Sequence, residues 1–282
     1  MIDEFLRQST GAAIAIFLVT AMFSLGLDLT ARQITSALGD RRLLTKSLLI
    51  NIIVVPLLAI AITSVIPMDG ALRTGIILYA FAAGTEGGPK FVQIVGGNTA
   101  FALGLLVVML ILTVSLVPVI LSIVIPDTHI DISGLIGNLL LVVALPISTG
   151  LFLKARYQGL AARLTPIMHR MSMIFLTLLF GMLLYVNLEA IAALQPTALL
   201  GGLLLFALTF CAGYLAGGRA RENRRALAIM TFARNGSISM LMAQQVFTNE
   251  PQVLVMVTVM AAASVVIAVL TVPSFRFVDS RI

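Results

Sequence analysis

Charge is scarce in this chain. Only 11% of its 282 residues are Asp, Glu, Lys or Arg, less than half of the roughly 25% found in an average soluble domain. A soluble fold of this size could not clothe its surface with so few charges. Tryptophan is absent, histidine occurs twice and cysteine once. The lone Cys211 excludes an intrachain disulfide and a cysteine-built metal site. No His-Glu-x-x-His pattern and no histidine inside an apolar run is found, which argues against a metal-dependent intramembrane enzyme. What is there is grease: 60% of the residues are hydrophobic and the mean hydropathy is +1.09. The chain reads as an all-α polytopic membrane protein. Its pI near 10.1 is then a topology signal, and no nucleic-acid partner is expected.

Cutting the apolar runs at charges and at Pro/Gly turns predicts nine membrane helices, at 10–30, 43–66, 71–95, 98–125, 133–154, 165–188, 196–217, 223–247 and 252–275. The N-terminal Met1 to Arg7 holds two acids and one base. It lacks the positive start and cleavage site of a secretory signal, so the first helix is read as retained. Fourteen of the eighteen basic residues follow odd-numbered helices. They are Arg32, Arg41, Arg42 and Lys46; then Lys154, Arg156, Arg163 and Arg170; then Arg219, Arg221, Arg224 and Arg225; and finally Arg276 and Arg281. The positive-inside rule then puts the N-terminus outside and the C-terminus in the cytoplasm, in a plasma membrane of bacterial inner-membrane type.

The two remaining interior bases are Lys90 and Arg234, and each lies in an interrupted segment. The third segment contains Gly84-Thr85-Glu86-Gly87-Gly88-Pro89, with Lys90 and Gln93 beyond it. Three glycines and a proline in six positions unwind a helix, and Pro89 suits the start of a new half-helix. The eighth contains Thr231-Phe232-Ala233-Arg234-Asn235-Gly236-Ser237-Ile238-Ser239. The eighth segment comes five after the third, an odd number, so the two cross in opposite directions. Matched, oppositely running interruptions are the mark of an inverted-repeat secondary transporter. Unwound backbone at membrane depth requires protein or a water-filled cavity around it, and half-helix N-termini attract anions. Glycine and proline also serve ordinary close packing, a reading that one break alone would favour.

At these residues the chain resembles the bile acid:sodium symporter family, nine- or ten-helix transporters that also carry keto acids and pantothenate-like anions. The likeness rests on Met22-Phe23-Ser24-Leu25-Gly26-Leu27, on Asn51 five residues before Pro56, on Gly97-Asn98 after the first break, and on Arg234-Asn235 to Phe247. It implies a panel domain of helices 1, 5 and 6 (residues 1–31 and 132–190). A core domain would hold helices 2–4 and 7–9 (residues 41–126 and 196–276), including the broken helices 71–95 and 223–247, and the two would move against each other for alternating access. Aligned on the resemblance, a Ser-Asn pair of the family's ion site falls on Gly88-Pro89, its Glu on Met230 and its Gln on Arg234. Lys90 and Arg234 are therefore expected to stand in for bound sodium, with Glu86 balancing part of their charge. The alternatives are that Lys90 snorkels to the interface and that Arg234 pairs structurally with Glu86.

The expected substrate- or ion-binding set is Asn51, Thr85, Glu86, Lys90, Gln93, Asn98, Arg234, Asn235, Ser237 and Ser239, several of which are equally good helix caps. Asp28 is expected to pair with Arg32. Gln244 and Gln245 are placed near the outer end of the eighth helix, and His129, between Asp127 and Asp131, in a solvated outer loop. His169 is placed at the cytoplasmic edge, and Gly213 and Gly217 at a close helix contact. The sequence thus predicts a secondary-active carrier of a small organic anion and no enzyme, with no cofactor and with sodium, a proton or nothing as coupling ion. An ordinary sodium-coupled symporter is the first alternative, and a channel or a non-transporting sensor comes from other classes. The lipid bilayer is the other expected partner.

Overall fold

A computed structural model of the chain describes residues 2–30, 33, 35, 39–124 and 131–279, and those residues form helices with no strand among them. The helices are α1 (Ile2–Asp28), α2 (Arg41–Val65), α3 (Gly70–Phe81), α4 (Gly88–Ile94), α5 (Thr99–Val124) and α6 (Ile132–Arg156). They continue as α7 (Gln158–Val186), α8 (Leu188–Ala192), α9 (Pro196–Ala216), α10 (Arg221–Phe232), α11 (Gly236–Val246) and α12 (Pro251–Asp279). Eight stretches among the described residues are long and apolar enough to cross a membrane, α10 and α11 counting together as one. The predicted third segment is instead a pair of short helices, α3 and α4, on either side of an unwound stretch. Helix α7 starts seven residues earlier than its sequence suggests. Pro166, which looks like a helix start, is accommodated inside it, and Tyr157 alone turns the chain from α6 into α7.

Prolines shape two of the spans. Pro56 and Pro146 have no N–H and would crowd the carbonyls four residues back, so each is preceded by a wide π turn, Ile50–Val54 in α2 and Leu140–Ala144 in α6. In α2 this has a specific result. The Val55 N–H reaches back to the Ile50 carbonyl, and the next bond in that five-residue pattern would need an N–H on Pro56. The Asn51 carbonyl is thereby left without an intrahelical donor.

Helix α1 lies along α6 and α7. Its Gly26 is the reason it can. A methyl group there would meet the Ile147 carbonyl oxygen and would lie 3.0 Å from the Gly150 Cα, and one on Gly150 would come within 2.6 Å of the Phe23 carbonyl oxygen. The Met22–Leu27 stretch therefore marks a backbone-on-backbone crossing. Gly213 and Gly217 serve the same end where α9 meets α10. Elsewhere α12 packs on α3 and on α11, and α2 packs on α3 and α9.

The two interrupted segments cross. Helices α3 and α10 are each 12 residues long, about 18 Å at 1.5 Å per residue, so each break lies near the middle of a roughly 30 Å hydrocarbon layer. Helix α4 packs on α10, and α3 packs on α11. The segments are hooked together where α4 ends and α10 begins. There the Asn98 N–H donates to the Glu222 carbonyl (3.0 Å), the Asn98 Nδ2 to the Asn223 Oδ1 (2.9 Å) and the Arg225 Nη1 to the Val95 carbonyl (3.1 Å). The two broken segments thus run antiparallel past each other.

Candidate functional site

An unwound backbone in a membrane must find a donor for every carbonyl. From Ala80 to Thr85, where α3 ends and the chain unwinds, each one has a protein partner. The Ala80 carbonyl accepts from the Arg234 Nη2, Phe81 from the Ala83 N–H (2.9 Å) and Ala82 from the Asn235 N–H (2.8 Å). Ala83 accepts from the Thr113 hydroxyl (2.9 Å), Gly84 from the Asn235 Nδ2 (2.8 Å) and Thr85 from the Gly88 N–H (3.1 Å). Gly84 sits at φ +85°, a left-handed conformation that lets the chain reverse there.

Arg234 is the hub. It is 3% exposed. Its Nη1 donates to the Asn51 Oδ1 at 2.7 Å and its Nη2 to the Asn51 carbonyl at 3.0 Å, besides Ala80. The guanidinium therefore collects the carbonyl that Pro56 orphans in α2 and one of the unpaired carbonyls at the C-terminal end of α3. Its planar fork suits several acceptors held at fixed positions. Asn51 is held in turn, its Nδ2 donating to the Ser47 carbonyl (2.9 Å) and to the Thr231 hydroxyl (3.2 Å). The partners of Arg234 are neutral oxygens. Among the buried polar atoms here, the Arg234 Nε and the Tyr79 hydroxyl have no hydrogen-bond partner.

Glu86 does not pair with Arg234. Its carboxylate accepts from the Asn235 Nδ2 (3.2 Å) and from the Ser237 hydroxyl (3.1 Å), joining the first break to the start of α11. The Asn235 Oδ1 caps α11 through the Ile238 N–H (3.0 Å), and the Ser239 hydroxyl donates to the Asn235 carbonyl (2.9 Å). Met230, where the resemblance would place an acid, is fully buried. Its sulfur lies against Gly88, 2.7 Å from where a methyl group on that glycine would sit, with Thr85 on the other side at 3.2 Å. Gly88 and Met230, two of the positions that the resemblance aligns with ion ligands, therefore touch, and the thioether fills the space between them.

Lys90 is elsewhere. It is exposed and lines an open cavity of about 440 Å³ with Asp28, Lys154, Ala162, Thr165, Pro166 and His169. Helices α1, α4, α6 and α7 all contribute to that cavity. Gln93 is exposed on α4. Asn98 caps α5, its Oδ1 accepting from the Phe101 N–H at 3.1 Å. Gln244 packs beside Gly11 of α1. Arg32, the expected partner of Asp28, and the loop at Asp127 and His129 lie outside the described residues. No cluster of three or more His, Cys, Asp or Glu among the described residues is arranged to hold a metal. Sequence reasoning missed Ser47, Thr113, Thr231 and Asn223. Thr113 carries the clearest signal, a hydroxyl within the apolar run of α5.

Two comparisons bear on what this arrangement belongs to. The family model described as Sodium Bile acid symporter family matches residues 15–194. The probable chloroplastic sodium/metabolite cotransporter BASS1 of Arabidopsis thaliana is 24% identical over 236 residues, which is 82% of this chain and 59% of that protein. The chain thus spans less than two thirds of the length of that relative.

Proposed function

The chain belongs to the Sodium Bile acid symporter family, and from that premise we propose that it is a secondary-active carrier of a small organic anion that works by alternating access, with Arg234 fixed where related carriers hold a transported cation. The observation that carries the reading is the Arg234 fork across the Asn51 and Ala80 carbonyls, a positive charge built into the crossing of two antiparallel broken segments. The Met230 sulfur on Gly88 supports it, because a thioether is a poor ligand for a hard cation. Lys90, which the sequence groups with Arg234, takes a different part. With Lys154 it supplies the positive charge of the cavity that receives the anion, and Asp28 offsets one of those charges. At 440 Å³ that cavity falls in the range of ordinary small-molecule pockets. Helices α1, α6 and α7 form the panel against which the crossed helices move.

A second reading, sodium-coupled symport of the ordinary kind, is favoured by the family and by the cotransport that the plant relative's name states. One experiment separates the two. The detergent-purified protein is melted with a panel of monocarboxylic, dicarboxylic and keto acids, each in sodium chloride and in choline chloride at equal ionic strength. An acid that raises the melting temperature equally in both salts is the expected result, and it names the substrate class. Stabilisation that requires sodium restores the sodium-coupled reading. No stabilisation by any acid in either salt removes the organic-anion reading.

A further inference from the structure

Glu86 is the one ionisable group at the crossing that the carrier reading leaves without a task. Holding a carboxylate at membrane depth is costly and marks function more often than packing. Its side chain is not fully covered by the protein around it. Its two partners, the Asn235 Nδ2 and the Ser237 hydroxyl, are neutral donors from the other broken segment. The Arg234 guanidinium is committed to Asn51 and Ala80. Lys90, four residues on, lines the cavity with Asp28, Lys154 and His169. Helix α5, the spanning part of α12, and α11 carry no ionisable residue, and the bases of α3 and α10 nearest in sequence, Arg73 and Arg225, stand near the far ends of those helices.

We infer that Glu86 is the coupling site of this carrier, that the ion it takes is a proton, and that protonation unfastens the two broken segments from each other. The inference rests on the carrier reading and deepens it. As a carboxylate, Glu86 accepts both hydrogen bonds. The Asn235 Nδ2 and the Ser237 hydroxyl bond different oxygens of the carboxylate, so a proton on either oxygen turns one of those acceptors into a donor and weakens one of the two bonds in this geometry. The Asn235 Nδ2 keeps its bond to the Gly84 carbonyl, the bond from the Ser237 hydroxyl is lost, and the tie between residues 84–90 and the start of α11 loosens. The step is Glu86 carboxylate plus one proton giving the neutral acid. One proton bound with one monovalent anion makes the translocated complex electrically neutral.

The test needs no transported anion. Purified protein in choline chloride is titrated with acid and followed in two ways: by the infrared C=O stretch of a protonated carboxyl, and by amide hydrogen exchange of peptides covering residues 82–95 and 233–246, corrected for the intrinsic pH effect. A carboxylic-acid band is expected to appear on acidification together with faster exchange in both peptides. Glu86→Gln is expected to lose that band and to exchange fast at every pH, whereas the exposed Glu189→Gln behaves as the parent. Ser237→Ala, which keeps the carboxyl, covers a Glu86→Gln protein that does not fold. It is expected to keep the band while the exchange change shrinks at least twofold. A band that follows the exchange change with pH and survives Glu86→Gln, or exchange that ignores pH in the parent, overturns the assignment. So does protection gained at fixed pH when sodium replaces choline, which would make the ion sodium. Failure on any of these counts leaves the carrier reading to be decided independently, by the anion screen in the two salts.

Discussion

At the scale of single residues, Arg234 combines high cost with many partners. A charged side chain at a helix centre in a bilayer costs at least about 2.5–3.5 kcal/mol, and here it is offset by bonds to three oxygens on two other elements. Hydrogen bonds to charged groups contribute about 1.5–3 kcal/mol each, and an acceptor left bare in the interior is penalised as well. Arg234→Met is expected to destabilise the protein by on the order of 3 kcal/mol or more and to abolish uptake, whereas Arg234→Lys, a point charge without the fork, falls between. Melting temperature and uptake measured on the same preparations check this, and unchanged uptake by the Met variant would remove Arg234 from the mechanism. The residue itself was legible in the sequence, since a base inside an apolar run stands out. Its partners were not. That Asn51 and Arg234 meet across 183 positions depends on a carbonyl freed by Pro56, a backbone consequence that composition and periodicity do not carry. Lys90 lines the cavity instead of the crossing, and Glu86 precedes the start of α4, so no i,i+4 relation on one helix joins the two.

At the scale of elements, glycine sets where helices touch. Gly26 and Gly150 put α1 and α6 backbone to backbone, and Gly26→Ala forces the Ile147 carbonyl to move. Overpacking of this kind typically costs about 1–3 kcal/mol. The variant is expected to melt lower by that amount and to recover little if Gly150 is also changed to alanine, since both residues feed one contact; a melting temperature equal to the parent's would show that the helices can separate freely there. The ends of most helices were readable within a few residues from charge, glycine and proline. One exception is α1, which starts at Ile2, well before the predicted residue 10; others came from proline used against type. Pro166 sits inside α7 instead of starting it, and Pro56 and Pro146 are accommodated by wide turns within continuous spans, features with no mark in hydropathy.

At the scale of the whole molecule, the alternation of basic loops fixes an expected orientation. Reporter fusions after Gly217, in the loop that bears Arg219 and leads into Arg221 of α10, and after Asp69, before Arg73, are expected to report cytoplasm and exterior respectively; the reverse assignment would turn the molecule over and put the Lys90 cavity on the outer side. The helical class and the two breaks were plain in the sequence because both follow from local composition. The way the breaks interlock was not, because it rests on Asn98 meeting Glu222 and Asn223, and on Asn235 meeting Ala82, Gly84 and Glu86, pairs far apart along the chain.

The Arg234 bridge also changes how this molecule answers to its medium. A dissociable ion occupies a site only in proportion to its concentration outside, and a fold that depends on it gains or loses stability by mass action as salt rises and falls. A guanidinium joined to the chain is present at its acceptors at an effective concentration set by the backbone. On the carrier reading proposed above, the crossing of the two broken helices is expected to stay filled at low and at high salt, and the melting temperature of the protein is expected not to follow the sodium concentration.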